Sequence, residues 1–368
     1  MYSLRMTAAG GKADPRPLKG HGAISNPAGR FERRRLEAVD DGWYQDEASD
    51  SLPVSIEPDR ARSVISTNDS PDIPFTQSIN PYRGCAHACC YCYARPSHSY
   101  VGLSPGWDFE TKLFYKQDVG KLLERELARP GYRCSPINLG SNTDPYQPIE
   151  RRMRVTRDIL EVLARCRHPL TIITKGTLVL RDLDLLGQLA RDNLVSVGIS
   201  MTTLDPELKR RMEPQAASPR ARLEAVRALN EAGVPSGVLV APVIPALTDQ
   251  EMESILAAAA DAGAGWATYI VLRLPYEVKA LFKEWLAAHY PERAEHVMSL
   301  VRQMRAGKEN DPRFGSRMRG SGPFAELLRN RFHIACRRLG LETGRSGRLE
   351  VGLFRPPRAE TPQLSLDL

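Results

Sequence analysis

QSINPYRGCAHACCYCYAR, Gln77 to Arg95, joins a short apolar run to four cysteines within eight residues, in a chain of 368 residues that has only seven. The run reads as a buried strand, and the thiols crowd directly after it. An odd number of cysteines, mostly clustered, suits reduced thiols serving a metal or a reaction better than a disulfide framework.

Working outward, five more apolar runs of strand length follow: PINLGS (136–141), LTIITK (170–175), LVSVGIS (194–200), GVLVAPVIP (237–245) and ATYIVLRLP (267–275). Between them lie amphipathic stretches at 155–166, 180–192, 219–233 and 248–263, the last with Thr248 as expected N-cap and Gly263 as expected C-cap. Near-continuous apolar strands alternating with helices specify a parallel sheet covered by helices. Six such units predict an α/β fold, an incomplete (β/α) TIM-like barrel of about six strands. In such a barrel chemistry gathers at the strands' carboxyl ends, and polar or turn-forming residues follow each run: the cysteines, SNTD (141–144), TKG (174–176), SMTT (200–203) and PVIP (242–245).

The expected organisation is an N-terminal extension over 1–70, partly disordered, a barrel over 71–295, a basic helical region over 296–345 and a flexible tail over 346–368. The run FAELLRNRFHIACRRLG (324–340) reads as a capping helix packing Leu327, Leu328, Phe332 and Ile334. RFGSRMRGSG just before it alternates arginine with glycine and an aromatic, a pattern compatible with phosphate contact. A net charge of +7 permits a nucleic-acid partner without requiring one. No window holds the roughly 18 apolar residues of a spanning helix, and no secretory signal opens the chain, so the expectation is a cytoplasmic protein with no membrane partner.

Cys85, Cys89 and Cys92 form C-x3-C-x2-C, which can hold three irons of a cubane cluster and leave the fourth open. Cys90 then packs as a small apolar residue. The competing reading is a structural zinc on Cys85, Cys89 and Cys92 with Cys90 or His87.

C-x3-C-x2-C with Tyr91 before its third cysteine, after the first strand of such a barrel, resembles the radical S-adenosylmethionine (SAM) superfamily. Together with GSNTDPYQPIE, ITKGTLVLRDLDLL and VGISMTTLD, it is similar to the branch related to spore photoproduct lyase, often called DNA repair photolyases. The resemblance implies a [4Fe-4S] cluster, SAM, and an electron donor of flavodoxin or ferredoxin type. It implies cleavage of SAM to a 5′-deoxyadenosyl radical for hydrogen abstraction, in DNA or RNA repair or modification or, alternatively, on a protein or small molecule. A third alternative is a non-catalytic zinc or nucleic-acid binding module. By the same resemblance Ser141, Asn142, Thr143 and Asp144 meet the cofactor's ammonium, and Lys175 and Ser200 its carboxylate and ribose. Val240, Pro242 and Ile244, with Tyr91, are apolar enough to flank the adenine, and the first three read equally well as barrel core. The hydrogen-donating cysteine of spore photoproduct lyase has no counterpart in INLGSNTDPY, and Cys134 falls at the strand's wrong end, so Tyr93, Tyr100 and Tyr146 become the candidate hydrogen relays. Finally, QLSLDL resembles a clamp-binding peptide, which would dock Gln363, Leu364, Leu366 and Leu368 on a bacterial sliding clamp.

Overall fold

The computed structural model describes residues 17–32, 52–344 and 348–357. The clamp-like peptide and residues 33–51 of the expected extension lie outside them.

The strands in chain order are β1 (Ser55–Asp59), β2 (Ile65–Thr67), β3 (Gln77–Ile79), β4 (Tyr82–Arg83), β5 (Lys112–Lys116), β6 (Ile137–Leu139), β7 (Leu170–Thr174), β8 (Val195–Met201), β9 (Ser236–Val243), β10 (Trp266–Val271) and β11 (Glu342–Thr343). The main sheet runs β11-β10-β9-β8-β7-β6-β3-β2, parallel throughout except for β2, which pairs antiparallel with β3. The six expected strands are β3 and β6 to β10. β11 extends one edge and β2 the other, so the sheet is a partial TIM-like barrel that does not close on itself. A side sheet, β1-β5-β4, delivers the chain to the cysteines.

Strand alternation sorts the side chains. Ile137, Leu139, Leu170, Ile172, Val197, Ile199, Val238 and Val240 join helix residues such as Ile159, Leu163, Ile255 and Leu256 in the main core. The intervening positions, among them Asn138, Thr171, Ser196 and Ser200, turn toward the concave side. There Gly198, Gly237 and Trp266 stand side by side on three adjacent strands. A Cβ on either glycine would collide with the indole, so both glycines make room for the Trp266 ring across the barrel floor.

Helices over Val155–Arg165, Leu183–Ala190, Pro219–Glu231 and Met252–Asp261 follow their strands as expected. Ser218 caps the third, accepting Ala221 N–H at 3.2 Å. Thr248 is no such cap: its hydroxyl accepts the N–H of Ile244 at 2.9 Å, four residues back. Gly263 ends the fourth helix at φ +92°, in the conformation that favours glycine.

Within the expected N-terminal extension, residues 17–32 form a strap across the cysteine loop. Glu110 accepts from His21 Nδ1 (2.9 Å) and from the N–H groups of Gly22 (3.3 Å) and Ala23 (2.8 Å), while Trp107 Nε1 donates to Ala23 O. In the helix Pro323–Leu339, Leu328 and Phe332 are buried, but Leu327 and Ile334 are 50% and 47% exposed. The buried face follows Leu328, Phe332, Ala335 and Cys336, the helical spacing that leaves the other two outside. Residues 348–357, expected in the flexible tail, pack beneath the barrel. Arg355 N–H donates to Cys166 O at 2.8 Å, and the Phe354 ring lies edge-on to His168.

Candidate active site

The cysteine loop is built before it is loaded. Gly84 turns into it at φ +75°, packed so closely by Leu113, His98 and Phe109 that no side chain fits. Cys85 N–H donates to Phe109 O (2.9 Å) and Cys90 N–H to Met212 O (3.0 Å). Gln147, fully buried, accepts from Ala86 N–H (2.8 Å) and donates to Gly84 O (3.2 Å). The fully buried Arg95 donates to Cys89 O from Nε and Nη2, to Pro105 O and Gly106 O from Nη1, and pairs with Glu110. Buried carbonyls without donors are costly, so this one guanidinium ties the loop to its surroundings.

All seven cysteines are free thiols. Cys85 and Cys89 are buried and Cys92 half-buried, and Cys90 sits in the apolar cluster with Met212, Ile244 and Leu247. Burial pushes all three motif thiols up, Cys89 to about 12, with Lys175 opposing the rise at Cys89 and Cys92. Among the described residues no three His, Cys, Asp or Glu side chains converge on a single ion position. His87, the alternative zinc ligand, is buried with Nδ1 3.3 Å from Asp144 Oδ2, an ion-pair distance without hydrogen-bond alignment.

The SNTD turn after β6 is organised by Asn80, at the end of β3. Its Oδ1 accepts from Ser141 Oγ (3.2 Å) and from Asn142 N–H (2.8 Å), and Thr143 Oγ1 donates to Tyr82 O. Asp144 is largely occupied: Oδ1 accepts from Tyr146 N–H (2.9 Å) and Thr174 Oγ1 (2.6 Å), and Oδ2 from Lys175 N–H (2.7 Å). Burial would raise its carboxyl, but His87 and these donors hold it down at about 2. The Lys175 ammonium lies 5.8 Å from the Tyr91 ring centroid.

Beneath Tyr91 lies a network no local signal announced. Tyr91 Oη contacts Thr202 Oγ1 at 3.1 Å and donates to Glu213. Glu213 also pairs with Arg222, which donates to Ser200 O at 2.9 Å. Glu213 and Arg222 are fully buried. Burial opposes the Glu213 charge, yet Arg222, Lys175, Thr202 and Tyr91 bring its carboxyl down to about 2. Fixed charges thus line the wall beside the cysteine loop.

Residues 79–259 match the Radical SAM superfamily. An uncharacterised protein of Mycobacterium tuberculosis strain H37Rv is 42% identical over 233 residues, covering 63% of this chain and 68% of the relative. The chain belongs to the radical SAM superfamily. A second relative, an uncharacterised protein of Methanocaldococcus jannaschii, is 29% identical over 238 residues, 65% of this chain and 85% of its own. Among solved structures, two mutants of spore photoproduct lyase superpose at 17% and 16% identity with TM-scores of 0.57 and 0.56, each covering 78% of this chain and 81% and 80% of theirs. The second contains bound AdoMet and dinucleoside spore photoproduct. The protein is therefore a radical SAM enzyme with the fold of that lyase.

Of the residues expected to meet the cofactor, Tyr91, Ser141 to Asp144, Lys175 and Ser200 lie at or near the strand ends, on the side of the cysteine loop. Val240 does not join them. It is in the core between sheet and helices, because successive side chains of a strand take opposite faces; of the four residues expected around the adenine, Ile244 and Tyr91 share one apolar cluster. Tyr146 is buried with its hydroxyl on Asp182 at 3.1 Å, and Tyr100, 69% exposed, lies tilted against Phe31. Of the three tyrosines only Tyr93 joins the cysteine loop to the SNTD turn, its hydroxyl donating to Ser141 O. Cys134 precedes β6, at the end away from the loop.

Among the described residues no helix is long and apolar enough to cross a membrane.

Proposed function

We propose that Cys85, Cys89 and Cys92 hold a [4Fe-4S] cluster and that the enzyme uses SAM to abstract hydrogen from a nucleic acid, in repair or modification. The carrying observation is the clamped loop itself, which holds Cys85, Cys89 and Cys92 close enough to act on one another's charge, beside the strand ends of a partial barrel. When bound, the cluster would supply the electron that divides SAM into methionine and a 5′-deoxyadenosyl radical.

The chain's own groups would bind and orient the cofactor. Lys175 is the cation suited to the methionine carboxylate, and the Ser141–Thr143 turn, ordered by Asn80, faces the ammonium. Asp144 lends that turn its negative charge while its oxygens position Lys175 and Tyr146. The Tyr91–Glu213–Arg222 network keeps the wall beside the cofactor rigid, and the strap over residues 20–30 excludes water from the outer side of the loop. A flavodoxin- or ferredoxin-type donor would supply the electron. The Gln363–Leu368 peptide would carry the enzyme to a sliding clamp; clamp titration with the full chain and with a Gln363→Ala, Leu366→Ala variant tests this, and equal binding by both removes it.

Purified without oxygen, the chain is expected to bind about four irons and, on reduction, to form 5′-deoxyadenosine. Cys89→Ala should abolish that product and Cys90→Ala should not. A colourless protein with one zinc, or equal loss in both variants, overturns the assignment. Deuterium passing into 5′-deoxyadenosine from labelled DNA or RNA identifies the substrate; transfer only from protein or small-molecule pools rejects the nucleic acid.

A further inference from the structure

The two ends of the curved sheet are joined by side chains rather than by strand pairing. Segment 315–320 runs along β10, where Val271 N–H donates to Met318 O at 2.9 Å. It also reaches the β2–β3 connection: Gly315 N–H and Arg317 Nε donate to the two oxygens of Asp72 at 2.7 and 2.6 Å, and Arg317 donates to Ser70 Oγ. This seam is where the expected RFGSRMRGSG pattern comes to lie.

Arg273, two residues beyond β10, stands inside the seam and forms no ion pair among the described residues, although the Asp72 charge reaches it. Its guanidinium carbon is 5.4 Å from the centroid of Tyr93, which follows the last motif cysteine. Nη1 meets the Met318 sulfur at 3.6 Å, and Nε is buried without a partner. Asp72 is occupied by Gly315 and Arg317, and Asp311 by Arg313 and Ser316. The fully buried Arg305 adds a further positive charge while its own N–H groups hold Leu272 O, Ser316 O and Arg317 O. Burial and neighbouring arginines push both Arg273 and Arg305 down, yet arginine keeps its charge. Asp72, whose charge acts on Arg273, is already bound by Gly315 and Arg317, so it offsets the desolvation of this guanidinium only in part, and an arriving anion would offset more. Two exposed aromatic rings belong to this seam: Tyr93, 46% exposed, beside Arg273, and Phe314, 60% exposed, whose ring centroid lies 4.6 Å from the Arg317 guanidinium carbon.

A seam that carries a guanidinium and two exposed aromatic rings matches a nucleotide strand, phosphate to arginine and base to ring. We infer that Arg273 receives a backbone phosphate of a single or locally opened nucleic-acid strand, with Tyr93 and Phe314 as stacking surfaces beside the cysteine loop. The inference rests on the nucleic-acid reading and locates that substrate.

The test is fluorescence anisotropy of labelled single-stranded DNA and RNA with the anaerobic, cluster-loaded enzyme and SAM, over a series of salt concentrations. Wild type is expected to bind one of the strands. Arg273→Gln should weaken binding about tenfold and lower the logarithmic salt slope by about 0.7, the value for one phosphate on a single strand. Phe314→Ala, a surface change that leaves the seam's ion pairs intact, should weaken binding about fivefold or more with the slope unchanged. Arg337→Gln, on the exposed face of the helix Pro323–Leu339, controls for loss of charge in general and should change affinity less than Arg273→Gln. Binding by wild type with affinity and slope preserved in Arg273→Gln, or affinity preserved in Phe314→Ala, overturns the inference and leaves the nucleic-acid reading standing. No binding of either strand by wild type removes both. Arg273-dependent capture of a phosphopeptide, with neither strand bound, assigns the seam to a protein substrate and also overturns the inference.

Discussion

Arg95 and His168 show how burial turns single residues into structural decisions. Arg95 satisfies three carbonyls and one carboxylate, so Arg95→Met strands Glu110 without its main counter-ion. His168 is buried against Tyr132 Oη (2.8 Å) and Pro169 O (2.9 Å), and desolvation brings its ring down to about 4. Unfolded, the ring titrates near about 6.5. The unfolded chain thus holds more protons between these values, and the neutral ring's contribution is complete above about 6.5 and lost as pH falls toward about 4. The limiting slope is about 1.4 kcal/mol per pH unit. Urea unfolding at successive pH values should therefore give His168→Gln a shallower fall across this window than wild type. Parallel curves would show that His168 is not the responsible group.

Elements form where apolar periodicity meets a partner surface. The helix Pro323–Leu339 carries apolar residues on more than one side, and only those at the spacing of Leu328, Phe332 and Ala335 meet the core. Phe332 also packs against the Tyr269 ring, centroids 4.7 Å apart. Phe332→Ala is expected to destabilise by about 3–5 kcal/mol, and Leu327→Ala by no more than about 0.5 kcal/mol. Thermal or urea unfolding distinguishes them, and comparable losses would contradict the packed face. The same logic separates Val240 from Ser200: both were legible as strand residues, but which face each presents depends on where the helices cover the sheet.

At the scale of the molecule, segments distant in the chain complete the site. Gly22 lies against the cysteine loop so closely that a Cβ would collide with Ala88 O and press on Cys90 N. Gly22→Val is expected to lift the strap, lower stability by about 1–3 kcal/mol and speed loss of iron in air. Iron retained against time of exposure is the readout; an unchanged lifetime at reduced stability rejects shielding by the strap. The seam is a second assembly of this kind, joining Asp72 to Arg317 across 245 residues of chain.

What the sequence by itself determined is local and periodic. Six apolar runs, the helices between them, C-x3-C-x2-C and the polar residues after each strand are readable because helix and strand repeats and ligand spacing are properties of neighbouring residues. Strand order, the docking of residues 17–32 and 348–357, the Glu213–Arg222 pair, the outward face of Val240 and the unpaired Arg273 were decided only by the tertiary structure. Each depends on contacts between residues far apart in the chain, and on a desolvation that exists only once the core has formed.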